Sequence, residues 1–460
     1  MAATVERVLA DNPRARLIVD GISWSSEDLL RAGEQLADYI SRKFNGLQIL
    51  TISSANGALI TVAITACSHL RVPVLLLDPD ATSTGFGAAE DVLISDRQFP
   101  DCGPSVTVDE RLECYLARRA SGGSCSLPSD AILFQTSGST AAPRAVVKSA
   151  AAVLRDSARI ADYLHGDIAP AKVVCAAPVF HSYGFTHGLL ASLLADGEVV
   201  FRRPSSSPSS LARAVVQSGA STLIALPTQI QMIAELRALD FAELKQVVSA
   251  GAPIRADAVS RVCQDYDFRL LNVYGASEVG SCTVAALHET SAPGSVGVPL
   301  DGVDILIDPA DGELLVRNDA FAVGYFADAE IRALPTEDGW YRTGDLAERG
   351  EEGLRISGRR GDLINVAGRK TRRSRLECIL AEHPDVLEVQ VVTAEDEFRG
   401  EVPVARVVVR PGHARPDLID WSRSRLAPFE VPREVEWLDR LPRSATGKLI
   451  YAAHATEIEH

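Results

Sequence analysis

Four hydroxyl side chains surround one glycine in the run Phe134-Gln-Thr-Ser-Gly-Ser-Thr-Ala-Ala-Pro-Arg144, directly after the apolar stretch Ala131–Phe134. Hydroxyls and backbone N–H groups at such a turn can donate to phosphate oxygens, and Gly138 lets the backbone approach closely. Thr136, Ser137, Ser139 and Thr140 are the donors on this reading, and the Arg144 guanidinium adds a charge-assisted contact. The spacing is not the GxxxxGK[ST] of a Walker loop. A turn of this composition also serves as a plain surface loop, and the run alone leaves both readings standing.

Other side chains fit chemistry around a phosphorylated ligand. Glu278 is a carboxylate in the glycine-containing turn Tyr274-Gly-Ala-Ser277-Glu278, suited to holding Mg2+ through one or two oxygens while phosphates and water complete the shell. Asp345, in Tyr341-Arg-Thr-Gly-Asp345, can accept both hydroxyls of a ribose; it can equally form a surface pair with an arginine such as Arg359. His181, in Pro178-Val-Phe-His181-Ser-Tyr-Gly184, is either a pocket group or a satisfied structural imidazole.

Elements able to position these residues alternate along the chain. Leu29, Leu30, Leu36, Ala37 and Ile40 recur at near-helical spacing and predict an amphipathic helix over Ser26–Arg42. Gln48–Ile52, Arg71–Leu77, Asp91–Ile94, Lys172–Ala177, Glu198–Phe201, Ser221–Ala225 and Gln246–Ser249 read as short buried strands between helical segments. Such alternation implies a largely parallel sheet covered on both faces, an α/β fold. After about residue 295 the texture changes, with short strands expected at Val303–Ile307, Gly312–Arg317 and Leu354–Ser357. Strands near Val386–Val392, Val404–Val409 and Glu434–Leu438, with a helix at Pro416–Leu426, read as a separate α+β domain beginning near Gly358–Gly361.

Bulk properties narrow the function classes. The chain has 460 residues, 46% hydrophobic and 23% charged, with a formal net charge of -15. Such an acidic chain lacks the basic excess that non-specific nucleic-acid binding needs. Its local basic stretch Arg369-Lys370-Thr371-Arg372-Arg373 either attracts a small polyanion, a nucleotide or an acidic carrier, or is a solvated face. The eight cysteines form no CxxC pair or zinc-spaced cluster and suggest buried thiols in a reducing compartment. Residues Met1–Arg14 do not read as a signal peptide, and the apolar runs are too short to span a bilayer. A cytoplasmic enzyme with no membrane partner is the expectation.

Taken in order, the segments Thr136–Thr140, Tyr274–Glu278, Ser295-Val-Gly-Val-Pro299, Tyr341–Leu346, Gly358-Arg359-Arg-Gly-Asp362-Leu-Ile364 and Pro442-Arg-Ser-Ala-Thr-Gly447-Lys448 resemble the signature motifs of the adenylate-forming superfamily, which includes acyl- and aryl-CoA synthetases and peptide-synthetase adenylation domains. The likeness runs from the helix at Ser26 to Lys448. It implies a large N-terminal domain of parallel α/β sheets with a small β-barrel-like subdomain (1–357), followed by a small mobile C-terminal domain (358–460). It also implies ATP and Mg2+ as cofactors. Glu278 would hold the metal, Ser277 would lie beside the α-phosphate and Tyr274 against the adenine, with Asp345 and Arg359 on the ribose. Lys448 would bridge the substrate carboxylate and α-phosphate, steadying charge as pyrophosphate leaves. Gly361 falls at the family's hinge.

The same resemblance places His181 at the acid pocket, with walls from Val179, Tyr183, Phe185, Leu226, Gly251, Ala252 and Gly280. Amino-acid-activating relatives carry an aspartate where Ser182 stands, and a buried ammonium without a carboxylate is costly, so an α-amino acid is not expected. The implied substrate is an aryl or short-to-medium acyl acid. The implied acceptor is the thiol of coenzyme A or of the phosphopantetheine on an acyl or peptidyl carrier protein. Alternatives are a non-thiol acceptor and a non-catalytic adenylate-binding scaffold. The chain departs from the family at Ala141, Arg144 and Ala145, where glycine, lysine and glycine are usual. Alanine tolerates positive φ poorly, and arginine fixes its donors in a fork.

Overall fold

The apolar residues of Lys172–Cys175, Glu198–Phe201 and Thr222–Ala225 are buried, as expected of strands covered on both faces. The computed structural model describes residues 5–80, 92–99, 102–118, 126–136, 144–166, 171–236, 241, 243–327, 330–396, 398–443 and 449. Ser137, Gly138, Ser139, Thr140, Ala141 and Lys448 lie outside the described residues, and Thr136 is described only in its backbone.

Two sheets make up the larger part. In the first, Arg16–Val19, Glu198–Phe201, Lys172–Cys175, Thr222–Ala225, Gln246–Ala250 and Arg269–Ala276 lie side by side, each parallel to its neighbour. The sheet then changes character. Gly280–Leu287 folds back antiparallel on Arg269–Ala276. Ser295–Pro299, Gly353–Arg359, Trp340–Gly350, Glu313–Arg317 and Asp304–Ile307 continue it, antiparallel throughout. The second sheet has a parallel centre of Leu50–Ser53, Val74–Leu77, Val92–Ser95 and Ala131–Thr136. Arg144–Ser149 returns antiparallel to Ala131–Thr136, and Gly324–Ala327 pairs with that returning strand. Residues 137–143 therefore connect the two strands of a hairpin.

Local chemistry sets the helices. Ser26–Lys43 begins at a capping box, in which the Ser25 hydroxyl accepts from the Asp28 N–H and Asp28 accepts from the Ser25 N–H. Its buried face meets Gly57–Leu70, and Gly33 permits the close approach, because a Cβ there would stand 2.4 Å from the Thr65 methyl. Ser149 caps Ala150–His165, its hydroxyl accepting from Ala152 at 3.2 Å. Among the described residues no helix is long and apolar enough to cross a membrane.

A third sheet is built from Leu363–Val366, Arg369–Arg372, Val386–Asp396, Gly400–Val409 and Glu434–Trp437. Ile364, Leu376, Leu380, Val391, Val407 and Leu418 form its own core, and no apolar cluster of described residues joins that core to the rest. The seam is polar: Arg410 reaches Glu235 at 3.3 Å and Asp257 at 3.4 Å, and Arg255 donates to the Leu387 carbonyl. The helix expected over Pro416–Leu426 shortens to Leu418–Arg423, with Asp417 as its N-cap, its side chain accepting from the Asp420 N–H. The strand expected at Val404–Val409 extends to Gly400–Val409, because its first residues pair in register with Thr393–Asp396 of the neighbouring strand.

Candidate active site

The switch from parallel to antiparallel pairing brings distant residues to one edge. Trp340–Gly350 and Gly353–Arg359 are antiparallel neighbours, and their register sets Asp345 opposite Arg359. The Arg359 Nε donates to Asp345 Oδ1 at 2.5 Å, while the Tyr274 hydroxyl donates to Oδ2 at 2.7 Å. Asp345 is buried, but the Arg359 side chain is 72% exposed. Burial, with the Asp345 charge beside it, pushes the Tyr274 phenol well above its ordinary value, so it remains a donor. Each carboxylate oxygen carries two lone pairs, and one on each is left for a hydroxyl of a ribose-like ligand. The geometry thus gives Tyr274 a polar task, orienting Asp345, beyond the flat adenine contact implied by the sequence.

Glu278 sits in the turn between Arg269–Ala276 and Gly280–Leu287. Its Oε1 accepts from the Tyr325 hydroxyl at 2.8 Å, and the hydroxyls of Tyr325 and Tyr341 are 3.2 Å apart. The Glu278 carbonyl accepts from the Ala322 N–H at 2.7 Å. Burial and the neighbouring Glu278 charge raise both phenols. Tyr325 belongs to Gly324–Ala327, beside the strand that leaves the 137–143 connection, and Arg144 stacks its guanidinium 5.0 Å from the Tyr325 ring centre. The donor chemistry of Glu278 suits Mg2+, which takes one or two carboxylate oxygens while phosphates and water complete its shell.

The third part is the 178–184 segment. Ser182 Oγ lies 3.1 Å from Ser277 Oγ, which ties this segment to the Glu278 turn. His181 packs its ring 4.9 Å from that of Phe180. The Tyr183 hydroxyl is directed at the backbone carbonyls of Val248, 2.8 Å, and Ala225, 3.2 Å, so it points into the sheet. Phe185 has no exposed surface and meets Phe134 edge-on at 5.6 Å. Val179 and Leu226 are buried, Ala252 is half-buried, and Gly251 is exposed with φ +90°. Gly280, at φ +76°, abuts the Asp156 carboxylate, where a Cβ would come within 2.8 Å.

Sequence reasoning missed Tyr325, Asp156 and His187. Nothing beside Tyr325 in the sequence marks it. His187 had a faint signal, a polar residue inside the apolar run Phe185–Leu194, and Asp156 interrupts the buried face of Ala150–His165. Among the departures, Ala145 lies in a regular strand opposite Gln135 and has no positive φ, so its methyl costs no backbone strain. Gly361 lies in the single turn Arg360–Asp362, and a Cβ there would meet nothing within 4 Å. The basic stretch is largely engaged within its own domain: Arg373 bonds Asp362, Arg375 pairs with Glu430 at 3.3 Å, and Arg369 lies over Phe429.

Residues 102–326 match the model of the AMP-binding enzyme family, and residues 375–448 that of the AMP-binding enzyme C-terminal domain. An indoleacetate–CoA ligase of Aromatoleum aromaticum is 29% identical over 337 residues, which span 69% of this chain and 65% of the relative, just under two thirds of its length. A 2-succinylbenzoate–CoA ligase of Bacillus subtilis is 27% identical over 442 residues, 91% of this chain and 89% of the relative. Among solved structures, the o-succinylbenzoate CoA synthetase of Bacillus subtilis with its acyl-adenylate intermediate superposes with a TM-score of 0.80 at 24% identity, covering 97% of this chain and 96% of that one. An amide bond synthetase of Marinactinospora thermotolerans gives 0.77 at 23% identity, with 97% of each chain covered. At these identities the structural likeness is one of fold.

Proposed function

The chain belongs to the adenylate-forming superfamily, and from that premise we propose that it activates a carboxylic acid with ATP to an acyl-adenylate, releasing pyrophosphate, then passes the acyl group to a thiol. The observation that carries this reading is the convergence of the Tyr274–Asp345–Arg359 bonds and the Tyr325–Glu278 bond around one change of strand direction. Asp345 accepts the ribose hydroxyls. Glu278 holds Mg2+, which when bound neutralises phosphate charge. Ser277 faces the α-phosphate, and the Thr136–Thr140 donors hold the remaining phosphates. The acid carboxylate is ionised at neutral pH and attacks without a general base. Lys448 stabilises the charge that develops, through a C-terminal domain (358–460) that turns about Gly361 between the two steps.

The acid is an aryl or short-to-medium acyl group, in keeping with the indoleacetate and succinylbenzoate named for the relatives. Ser182, engaged with Ser277, offers no carboxylate to a substrate ammonium. His181 contacts the acid. The acceptor is coenzyme A or a pantetheinylated carrier.

Acid-dependent exchange of labelled pyrophosphate into ATP, over a panel of aryl and acyl acids, tests the first step. Exchange should appear with some member and collapse in Lys448→Ala. Bound ATP with no exchange across the panel would point to a scaffold. Mass detection of a thioester after adding coenzyme A or a pantetheinylated carrier, against an amide after adding amines, decides the acceptor.

A further inference from the structure

Behind the Glu278 turn lies a polar circuit whose inner members, Asp156, Thr186, His187 and Ser281, are buried. Asp156, 3% exposed, accepts the Ser281 N–H at 2.8 Å through Oδ1. Ser281 Oγ lies 3.3 Å from His187 Nε2, and His187 Nδ1 lies 2.8 Å from Thr186 Oγ1. Thr186 donates its single hydroxyl proton to the Ser182 carbonyl at 2.8 Å. Ser182 Oγ then meets Ser277 Oγ at 3.1 Å. The circuit therefore grips the turn at both ends, at Ser277 and at Ser281, and leads both back to the π-helix Gly184–Leu190.

The proton count fixes the imidazole. Thr186 has spent its proton on Ser182, so toward His187 it accepts, and Nδ1 carries the hydrogen. Nε2 is then the acceptor and Ser281 the donor. Burial keeps the ring neutral, its pKa pushed down to about 4 despite the nearby Asp156 charge. The π-helix inserts an extra residue per turn, which is how Thr186 and His187 both reach the turn side. An apolar core would fill this volume at lower desolvation cost. Every polar group here is instead aimed at the turn or at the segment that leads to it.

We propose that Asp156, from the helix Ala150–His165, and His187, from the helix Gly184–Leu190, are positioning residues that clamp the 277–281 turn, so that Glu278 and Ser277 meet Mg-ATP in register with the acid held by the 178–184 segment. This rests on the adenylate reading above. Neither residue touches substrate; each acts through Ser281, and His187 also through Thr186 and Ser182. The clamp should matter more for the metal and phosphates than for the ribose, since Asp345 stands on Trp340–Gly350 and is held by Arg359 as well as by Tyr274.

Calorimetric titration of the full chain with adenosine, and separately with ATP plus Mg2+, tests the clamp in wild type, His187→Phe and His187→Gln. Phenylalanine fills the volume without hydrogen bonds, whereas glutamine restores a donor and an acceptor. His187→Phe should weaken Mg-ATP by about tenfold, the loss of a hydrogen bond or two, with adenosine affinity held within about twofold. The KM for ATP should rise more than kcat falls, and His187→Gln should recover most of the Mg-ATP affinity. Equal weakening of both ligands, or no change in either, overturns the clamp. Should His187→Phe fail to fold, Ser281→Ala removes the same bond at the turn, and unchanged Mg-ATP affinity there overturns it too. A wild-type chain that binds neither nucleotide overturns the adenylate reading itself and the clamp with it.

Discussion

The Tyr325 hydroxyl donates to Glu278 Oε1 at 2.8 Å, and by that bond a strand of the second sheet steadies the hairpin turn of the first. The two residues come from separate sheets, yet the strand bearing Tyr325 adjoins the one that leaves the 137–143 connection. Tyr325→Phe keeps the ring under Arg144 and removes only the donor. Pyrophosphate exchange should fall by about three- to tenfold, the range for one lost hydrogen bond, mostly through a higher KM for Mg-ATP. A fall in kcat alone would show that Tyr325 does not orient the metal-side carboxylate.

Asp345 carries two protein bonds at once, so Asp345→Ala should cost affinity and stability together. The Tyr274 hydroxyl would lose its partner in a buried place, a penalty of about 1–3 kcal/mol. Arg359→Ala, by contrast, leaves Asp345 its Tyr274 bond and removes a side chain that is 72% exposed, so it should lower the melting temperature less than Asp345→Ala while still weakening nucleotide. Thermal melts with and without ATP separate the two. Equal loss of stability in both variants would contradict this division of labour.

Gly280 combines φ +76° with a neighbour that cannot retreat: its Cβ would stand 2.8 Å from the Asp156 carboxylate, which holds Ser281. Gly280→Ala should therefore destabilise by about 1–3 kcal/mol from backbone strain alone. The same alanine at Gly361, where nothing stands within 4 Å, should be silent in a melt. Denaturant titration checks the pair, and a neutral Gly280→Ala would contradict the packing described.

Two histidines predict acid sensitivity. Burial holds His165 and His187 at about 4, below the ordinary imidazole value of 6.5. Between those values the unfolded chain binds more protons than the folded one, so stability rises with pH across that window and is lost as pH falls through it. Above pH 6.5 neither ring contributes. His165→Leu should flatten part of the slope measured by urea titration at stepped pH, since both ring nitrogens lack a partner among the described residues. An unchanged slope would mean that His165 already titrates normally in the folded chain.

Strands whose apolar residues run without interruption were legible from sequence, with ends off by up to three residues: the strand expected at Arg71–Leu77 starts only at Val74, because Arg71 caps the preceding helix. Glu198–Phe201 was expected and found, and Gln246–Ser249 gained only Ala250. Helix Ser26–Lys43 ended one residue beyond expectation. Their signals are local: a block of β-branched residues, a capping serine, an apolar stripe. Contacts across long chain separations left no such mark. Ser281 and Asp156 are 125 residues apart, and Tyr325 and Glu278 are 47 apart. Nor did the run Arg369–Arg375 declare that its charges would be met by Asp362 and Glu430, because pairing is decided by the tertiary fold.

The seam through Arg410, Glu235, Asp257 and Arg255 is made of ion pairs partly open to solvent, with no apolar cluster of described residues across it. Exposed pairs contribute about 0–1 kcal/mol each and weaken with added salt. If those pairs set the orientation of the C-terminal sheet, ionic strength is a control variable for it. Raising salt should shift the population of domain orientations, visible as altered distances between labels placed on either side, while the cores on each side stay intact.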